Sequence, residues 1–458
     1  MKHLTPHIVA EITGGECIGD ESMRNVRIAG AALDSRDVKQ GNLFVCIPGK
    51  RVDGHSFANS AFDSGAACCL AQQHIPYAKG PYVIVKSTLE AIKTIGGYYR
   101  SLFDIPVIGI TGSVGKTTAK ELIASALGAK YNVLKTVANL NNELGVPLML
   151  LSINEQYDAA VIEMGISEFG EMSRLAEMVR PDFFVITNIG YSHLEGLKDL
   201  NGILRAKTEA FSFIKPDGVA IFNGDDELLR SYYPGIKRIL FGLGKHNDFY
   251  AENICAEGVD AVTCDIVSST GRFPVRIPAY GSHLAPLSLP AAIICRLLGL
   301  TDEETACGLL EYIPVGGRSN ASHTGYITLI NDCYNANPNS VEAALTSISA
   351  LPNRRVAILG DMLGLGAQAD ELHRKVGNFA ARTGLDSLVC CGDKASFIYE
   401  AYKSAGGGAA RHYADKTVLI EALPELIEKG DAVLVKASHD MRFEEFIPYL
   451  QNLPQLFT

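Results

Sequence analysis

The chain of 458 residues contains no run of 18 or more apolar residues, which excludes an ordinary membrane-spanning helix. Its first residues, Met1-Lys2-His3-Leu4-Thr5-Pro6, lack the apolar stretch of a secretory leader, so a cytoplasmic protein with no membrane insertion is expected. No Cys-x-x-Cys pair occurs. The eleven cysteines are scattered, with neighbours only at Cys68-Cys69 and Cys390-Cys391. An odd count without metal-site spacing fits free thiols in a reducing compartment, most of them acting as small buried apolar groups. An excess of positive charge is also missing. The net charge is −10 and the pI about 5.6, which argues against a general binder of nucleic acid or membrane surfaces. An anionic substrate would have to be met by local positive charge.

Hydrophobic residues make up 47% of the chain, enough for large cores throughout. The length fits roughly three domains of about 150 residues each. The most informative stretch is Val107-Ile108-Gly109-Ile110-Thr111-Gly112-Ser113-Val114-Gly115-Lys116-Thr117-Thr118. Residues 107–110 read as a buried strand, the glycines as a tight turn, and 118–127 as a helix. Glycines let backbone N–H groups approach an anion, and the helix N-terminus adds partial positive charge. Lys116 can then reach the outer phosphates and the Thr117 hydroxyl can sit on magnesium. The longer phosphate-loop pattern would place glycine where Ile110 stands, so the motif is the compact Gly112-x-x-Gly115-Lys116-Thr117. With a strand before it and a helix after it, it predicts a nucleoside-triphosphate site.

From residue 105 strands and helices alternate: 107–110, 159–163, 183–189 and 219–223 as strands; 120–127, 168–178 and 200–213 as helices. That order predicts a parallel α/β sheet covered on both faces, with ligands beyond the carboxyl ends of the strands. Glu163 ends one strand, where a carboxylate can hold magnesium directly or through water. His193 follows another. Lys207, by pattern alone, is an exposed helix lysine. The stretch 136–147, with three asparagines and a Gly-x-Pro, predicts a structured loop rather than a helix. Residues 224–280 read as irregular and strand-rich, and 286–300 as a helix. A hinge is expected near Pro314-Val315-Gly316-Gly317-Arg318. A third unit then alternates again, with strands at 327–331, 355–360, 388–391 and 432–436 and helices at 340–350, 370–383 and 418–428. Ahead of all this, residues 1–104 form a first unit with a strand at 41–47 and a short helix at 56–64. There Arg36, Lys50 and Arg51 are either solvated surface or contacts to an anionic substrate.

Taken together these motifs resemble the Mur ligases. The resemblance rests on Gly112-x-x-Gly115-Lys116-Thr117, the asparagine loop, Glu163-Met164-Gly165, His193-Leu194-Glu195-Gly196, Ala206-Lys207-x-Glu209 and Gly317-Arg318. It continues through Asp332-Cys333-Tyr334-Asn335-Ala336-Asn337-Pro338 and Gly360-Asp361-Met362, in the family's order and over nearly the whole chain. It implies a three-domain α/β protein: a small domain over 1–104 binding the UDP part of a substrate, a central phosphate-loop domain over 105–317, and a Rossmann-like domain over 318–458. The implied activity is an ATP-dependent amide ligation through an acyl phosphate. The pattern is most like the branch joining D-alanyl-D-alanine to a UDP-N-acetylmuramoyl-tripeptide in peptidoglycan precursor synthesis. The implied partners are those small molecules, without nucleic acid, and a monomer is expected.

The resemblance also implies roles. ATP would meet Gly112, Ser113, Gly115, Lys116, Thr117 and Thr118, with Arg318 at its γ-phosphate and Asp332 at its ribose. Magnesium would meet Thr117, Glu163, His193 and a Lys207 carbamylated by CO₂. Lys116, Lys207, His193, Glu163 and Arg318 would carry the chemistry. Substrate contacts would fall on Asp34, Ser35, Arg36, Asp53, Gly54 and His55 in the first domain. Asn141, Asn142, Tyr334, Asn335 and Asn337 would supply others. Some positions depart from the family pattern. Leu284 and Leu287 stand after His283 where the family has asparagines that support adenine and hinge. Gly364 replaces a glutamate, Cys333 a serine, and His439 an arginine. Leucine has no hydrogen-bonding side chain, and histidine cannot make arginine's two-pronged contact. These departures leave open a relative that joins another amine to another carboxylate, and a nucleotide-binding regulator without ligation.

Overall fold

The computed structural model describes residues 1–49 and 52–453. Lys50 and Arg51, considered above as substrate contacts, lie outside the described residues. Three sheets follow one another along the chain. The first has five strands in the order Glu16–Ile18, Tyr82–Ile84, Cys68–Ala71, Asn42–Val45 and Gly30–Ala32, all parallel except the first. The helix expected at 56–64 is a 3₁₀ turn, Gly54–Phe57, running into an α-helix, Ala58–Asp63.

The central sheet has nine strands. Its order is Gly271–Ile277, Ala261–Ser268, Phe249–Glu257, Lys237–Gly242, Val219–Asn223, Phe183–Ile186, Val107–Thr111, Ala159–Glu163 and Val133–Lys135. Three antiparallel strands close one edge and the remainder runs parallel. Every residue of Val107–Thr111 and of Ala159–Glu163 is buried, the signature of parallel strands covered on both faces. After Val107–Thr111 the chain crosses to one side of that strand, and after Ala159–Glu163 it crosses to the other. The carboxyl end of Val107–Thr111 is therefore a topological switch point, where open α/β sheets bind ligands.

Two local expectations change here. The asparagine loop ends earlier than the sequence implied, because Gly145–Leu151 is a helix. Its Pro147 sits in the first turn, where a missing N–H leaves no bond unmade. The helix expected at 286–300 is Leu284–Leu297, with Pro290 inside it.

The last sheet has six strands, Asn320–His323, Thr328–Asn331, Ala432–Lys436, Arg355–Gly360, Ser387–Cys391 and Ala409–Tyr413, parallel after the first pair. Residues 312–319, where a hinge was expected, form neither helix nor strand. All eleven cysteines are free, and only Cys255 and Cys307 are exposed.

Candidate active site

The phosphate loop takes its shape from its glycines. Gly112 has φ +148°, and a Cβ there would overlap the Thr187 hydroxyl. Gly115 has φ +81° and begins the helix Lys116–Leu127. The first N–H groups of a helix lack partners within it, and here they open on a cleft of about 540 Å³ lined by Lys116, Thr117 and Thr118. The loop is braced from the neighbouring strand end. Asn188 Oδ1 accepts from the N–H groups of Ser113 and Val114 at 3.0 and 2.9 Å. Ser113 Oγ donates to the Gly190 carbonyl at 2.8 Å.

Glu163 emerges from its buried strand directly beside this loop. The Thr117 hydroxyl donates to Glu163 Oε2 at 2.8 Å, and Asn141 Nδ2 donates to Oε1 at 2.9 Å. Asn142 also lines the cleft, and its Oδ1 accepts from the N–H groups of Leu144 and Gly145 at the start of the next helix. The Lys116 ammonium donates to the Gly112 carbonyl at 2.8 Å. Its pKa is lowered, chiefly by burial; Glu163 opposes the shift and the Arg318 charge adds to it.

His193 lines the same cleft, with φ +53° at the start of a short helix. It keeps an exposed edge, yet loss of solvent and the charges of Lys116 and Lys207 push its pKa down to about 4. The ring is therefore neutral at pH 7 and free to offer a nitrogen lone pair. Lys207 corrects the reading by pattern. It is 2% exposed rather than a surface lysine, because it lies on the inner face of Leu200–Thr208. Burial, then the Lys116 charge, holds its pKa well below the ordinary value.

The last sheet supplies the opposite wall. Asp332 follows the strand Thr328–Asn331, Lys436 ends the parallel strand beside it, and the two pair at 2.7 Å, both largely buried. The other Asp332 oxygen accepts from the Ser319 N–H at 2.9 Å. The Arg318 guanidinium stacks 3.8 Å over the Tyr334 ring, whose far neighbour is His439. Arg318 Nε is buried without a partner among the described residues. An orphaned, buried donor of this kind is costly unless something else accepts from it. Asn335 and Asn337 also line the cleft. The Asn337 side chain caps Pro338–Ser349 in a reciprocal pair with Ser340, so its amide oxygen is already engaged.

The first-domain residues lie elsewhere. Asp34–Arg36 and Asp53–His55 follow the neighbouring parallel strands Gly30–Ala32 and Asn42–Val45, and none of them lines this cleft. Arg36 pairs with Asp34, and this hydrogen bond holds the Asp34 carboxyl below its usual range. His55 Nε2 accepts from the Gln72 N–H at 2.8 Å, so Nδ1 carries the proton toward Asp53 at 2.6 Å. Ser35 sits in the same turn as Arg36, and Gly54 packs on the backbone of Ile47.

The sequence reading missed Asn188, Lys436 and His283. The first two stand at or just past strand carboxyl ends, the rule that singled out Glu163 and His193. His283 figured in sequence only as the residue before Leu284; folding brings its Nε2 to 3.5 Å from Ser319 Oγ, at the cleft.

Comparison with known proteins shows the family. Three family models match in order: "Mur ligase family, catalytic domain" over residues 27–99, "Mur ligase middle domain" over 110–295, and "Mur ligase, glutamate ligase domain" over 317–439. The UDP-N-acetylmuramoyl-tripeptide–D-alanyl-D-alanine ligase of Bacillus subtilis is 34% identical over 452 residues, covering 97% of this chain and 98% of the relative. This chain belongs to the Mur ligase family. The Mur ligase of the same description from Escherichia coli is 33% identical over 461 residues, covering 99% of each chain. Among solved Mur ligases, MurF from Acinetobacter baumannii superposes with a TM-score of 0.88 at 28% identity, covering 98% of each chain. MurF ligase from Thermotoga maritima in complex with ADP superposes with a TM-score of 0.83 at 26% identity, covering 96% of this chain and 100% of the other.

Proposed function

We propose that this Mur ligase is an ATP-dependent amide ligase that joins D-alanyl-D-alanine to a UDP-N-acetylmuramoyl-tripeptide in peptidoglycan precursor synthesis. The observation that carries this reading is likeness over the full length of the chain to relatives named for that reaction. The ADP complex of the Thermotoga maritima relative supports a nucleotide in the phosphate-loop cleft. We assign the UDP portion to residues 1–104, the nucleotide to 105–317, and closure over it to 318–458.

The chemistry follows from charge. A peptide carboxylate is ionised at neutral pH, with a pKa near 4. It must approach a γ-phosphoryl group that is also anionic. Lys116 and Arg318 place positive charge at that meeting point, on opposite walls of one cleft. The carboxylate oxygen bonds to the γ-phosphorus as the bond to the β-bridging oxygen breaks, giving an acyl phosphate and ADP. The amine of the dipeptide then attacks the acyl carbon, phosphate leaves, and a proton is lost from nitrogen. The first-turn N–H groups of Lys116–Leu127 orient the phosphates.

The residues fit magnesium. Among the described residues no cluster of three or more His, Cys, Asp and Glu could hold a metal by itself. Magnesium usually takes one or two protein oxygens with phosphate and water completing its shell. Glu163 and Thr117 offer that pair, and His193, neutral, stands by. When bound, the ion would neutralise charge between phosphoryl group and carboxylate. We also assign Lys207 as a carbamate. A buried amine with a depressed pKa has a free lone pair to attack CO₂; loss of a proton leaves an anionic oxygen donor, which suits magnesium.

The test is phosphate release and product mass under ATP, magnesium, UDP-muramoyl-tripeptide and D-alanyl-D-alanine, each omitted in turn. Release only with the complete mixture, and a product heavier by the dipeptide less water, is expected. ATP turnover indifferent to the dipeptide, with no amide formed, would overturn the proposal. Other amines in place of the dipeptide test for a different acceptor.

A further inference from the structure

Away from the hinge at 312–319, the last domain reaches the central one at the stretch Gly190–Glu195. The Tyr191 N–H donates to Asn339 Oδ1 at 3.2 Å, and among the described residues it has no acceptor within its own domain. The Lys375 ammonium lies 5.2 Å over the Tyr191 ring. A Cβ on Gly366 would stand 3.4 Å from Glu195 Cγ. Asn339 lies in the first turn of Pro338–Ser349 and Lys375 on Ala369–Ala380, both in the last domain. Asn337, not Asn339, caps its helix, so the Tyr191 N–H is the partner of Asn339 Oδ1 among the described residues.

The same stretch is tied to the phosphate loop from its other side. Ser113 Oγ accepts from the Gly190 N–H at 2.9 Å, and Ser192 Oγ donates to it at 3.0 Å. His193 follows in the chain and lines the cleft. Gly190 marks the closest approach. A Cβ there would stand 2.6 Å from Asn339 Oδ1, an overlap, and 3.4 Å from Ser113 Cβ, an ordinary contact. One short stretch therefore touches the phosphate loop and the last domain at once.

We propose that Asn339 is a positioning residue. By accepting from the Tyr191 N–H it latches the last domain onto Gly190–His193, so that the phosphate loop and His193 take up their working geometry when the two domains are together. Docking of one domain on another commonly completes a catalytic site in this way. A hydrogen bond made only in that reacting arrangement raises kcat and leaves the first encounter with nucleotide unchanged. This role rests on the cleft being the ligation site proposed above.

The experiment measures phosphate release by full-length Asn339→Ala in the complete ligation mixture. Its kcat should fall about three- to tenfold, the worth of one neutral hydrogen bond, while KM for ATP stays within about twofold. Calorimetric titration with ATP should still give one site per chain, so that the fall is not a smaller active fraction. An unchanged kcat overturns the latch. So does a raised KM with kcat held, which would make Asn339 a nucleotide contact, and so does a lost fraction of sites, which would make it structural. Gly190→Ala should lower kcat by a similar factor by displacing Asn339 Oδ1. In the double variant that overlap is gone, so its kcat should lie within about threefold of Asn339→Ala alone; a loss equal to the product of the two single losses would overturn the coupling. Amide formation by the parent chain is the control. Without it the ligation reading itself fails, whereas a parent that ligates beside an equally fast Asn339→Ala removes the latch alone.

Discussion

Replacing Lys207 by methionine should make the protein more stable and nearly inactive. Lys207 is 2% exposed, and no ion pair or hydrogen bond engages it among the described residues. Its pKa is well below the ordinary value, by burial first and the Lys116 charge second. An unfolded lysine keeps its proton up to a pH of about 10.4. Between the folded pKa and that value the unfolded chain binds more protons, so stability rises with pH and falls as pH drops. Methionine fills similar space without a proton to lose. At pH 7, in bicarbonate-free buffer, the exchange should add about 1–2 kcal/mol. Each kcal/mol should lift the melting temperature by about 2–4 °C for a domain of roughly 200 residues. The gain should shrink toward pH 10. Turnover should fall by about 10²–10³, the usual loss when one charge-stabilising group is removed. Calorimetry at pH 7 and 9 and phosphate release with bicarbonate measure both sides. A variant that melts lower than its parent at pH 7, or turns over as fast, would refute the reasoning.

Glu163→Gln keeps shape and loses charge next to Thr117 and Asn141; kcat should drop by about 10²–10³ with little change in melting, and an unaltered rate would remove Glu163 from the chemistry. The imidazole of His193 should titrate by NMR with a midpoint of about 4. Because that value lies below an unfolded histidine's 6.5 or so, stability should be lost as pH falls from 6.5 toward 4, and His193→Gln should lessen that loss; a midpoint near 6.5 would contradict the assignment. Glu143 pairs with Lys93 at 2.6 Å and with Arg174, pinning the asparagine loop. Glu143→Ala leaves the largely buried Lys93 without that partner and should cost about 1–3 kcal/mol in urea melts; a neutral change would show the pair to be idle.

Much of the site was legible because parallel strands announce where they end. The buried run before Gly112, and the run closing on Glu163, place both residues beside one cleft with no knowledge of packing. The same rule reaches Asn188 and Lys436, yet their partners are distant in sequence: Lys436 meets Asp332 across 104 positions. No local pattern carries that pairing. Lys207 failed for a related reason. An isolated lysine on a short helix defaults to solvent, and only the packing of Leu200–Thr208 against neighbouring helices turns it inward. The strand Ala409–Tyr413 was hidden behind Gly406-Gly407-Gly408, which reads as loop, and it lies at a half-exposed sheet edge. Asn337 was expected at the substrate and is seen as a helix cap, which Pro338 and Ser340 after it signal.

Everything proposed here requires the peptide acid to take a phosphoryl group in the cleft before it meets the amine. The direct measurement is oxygen transfer. UDP-muramoyl-tripeptide carrying ¹⁸O in its reacting carboxylate, turned over once with ATP and D-alanyl-D-alanine, should release phosphate containing one ¹⁸O atom. The amide keeps the other carboxylate oxygen in either case, so phosphate free of the label would contradict the account.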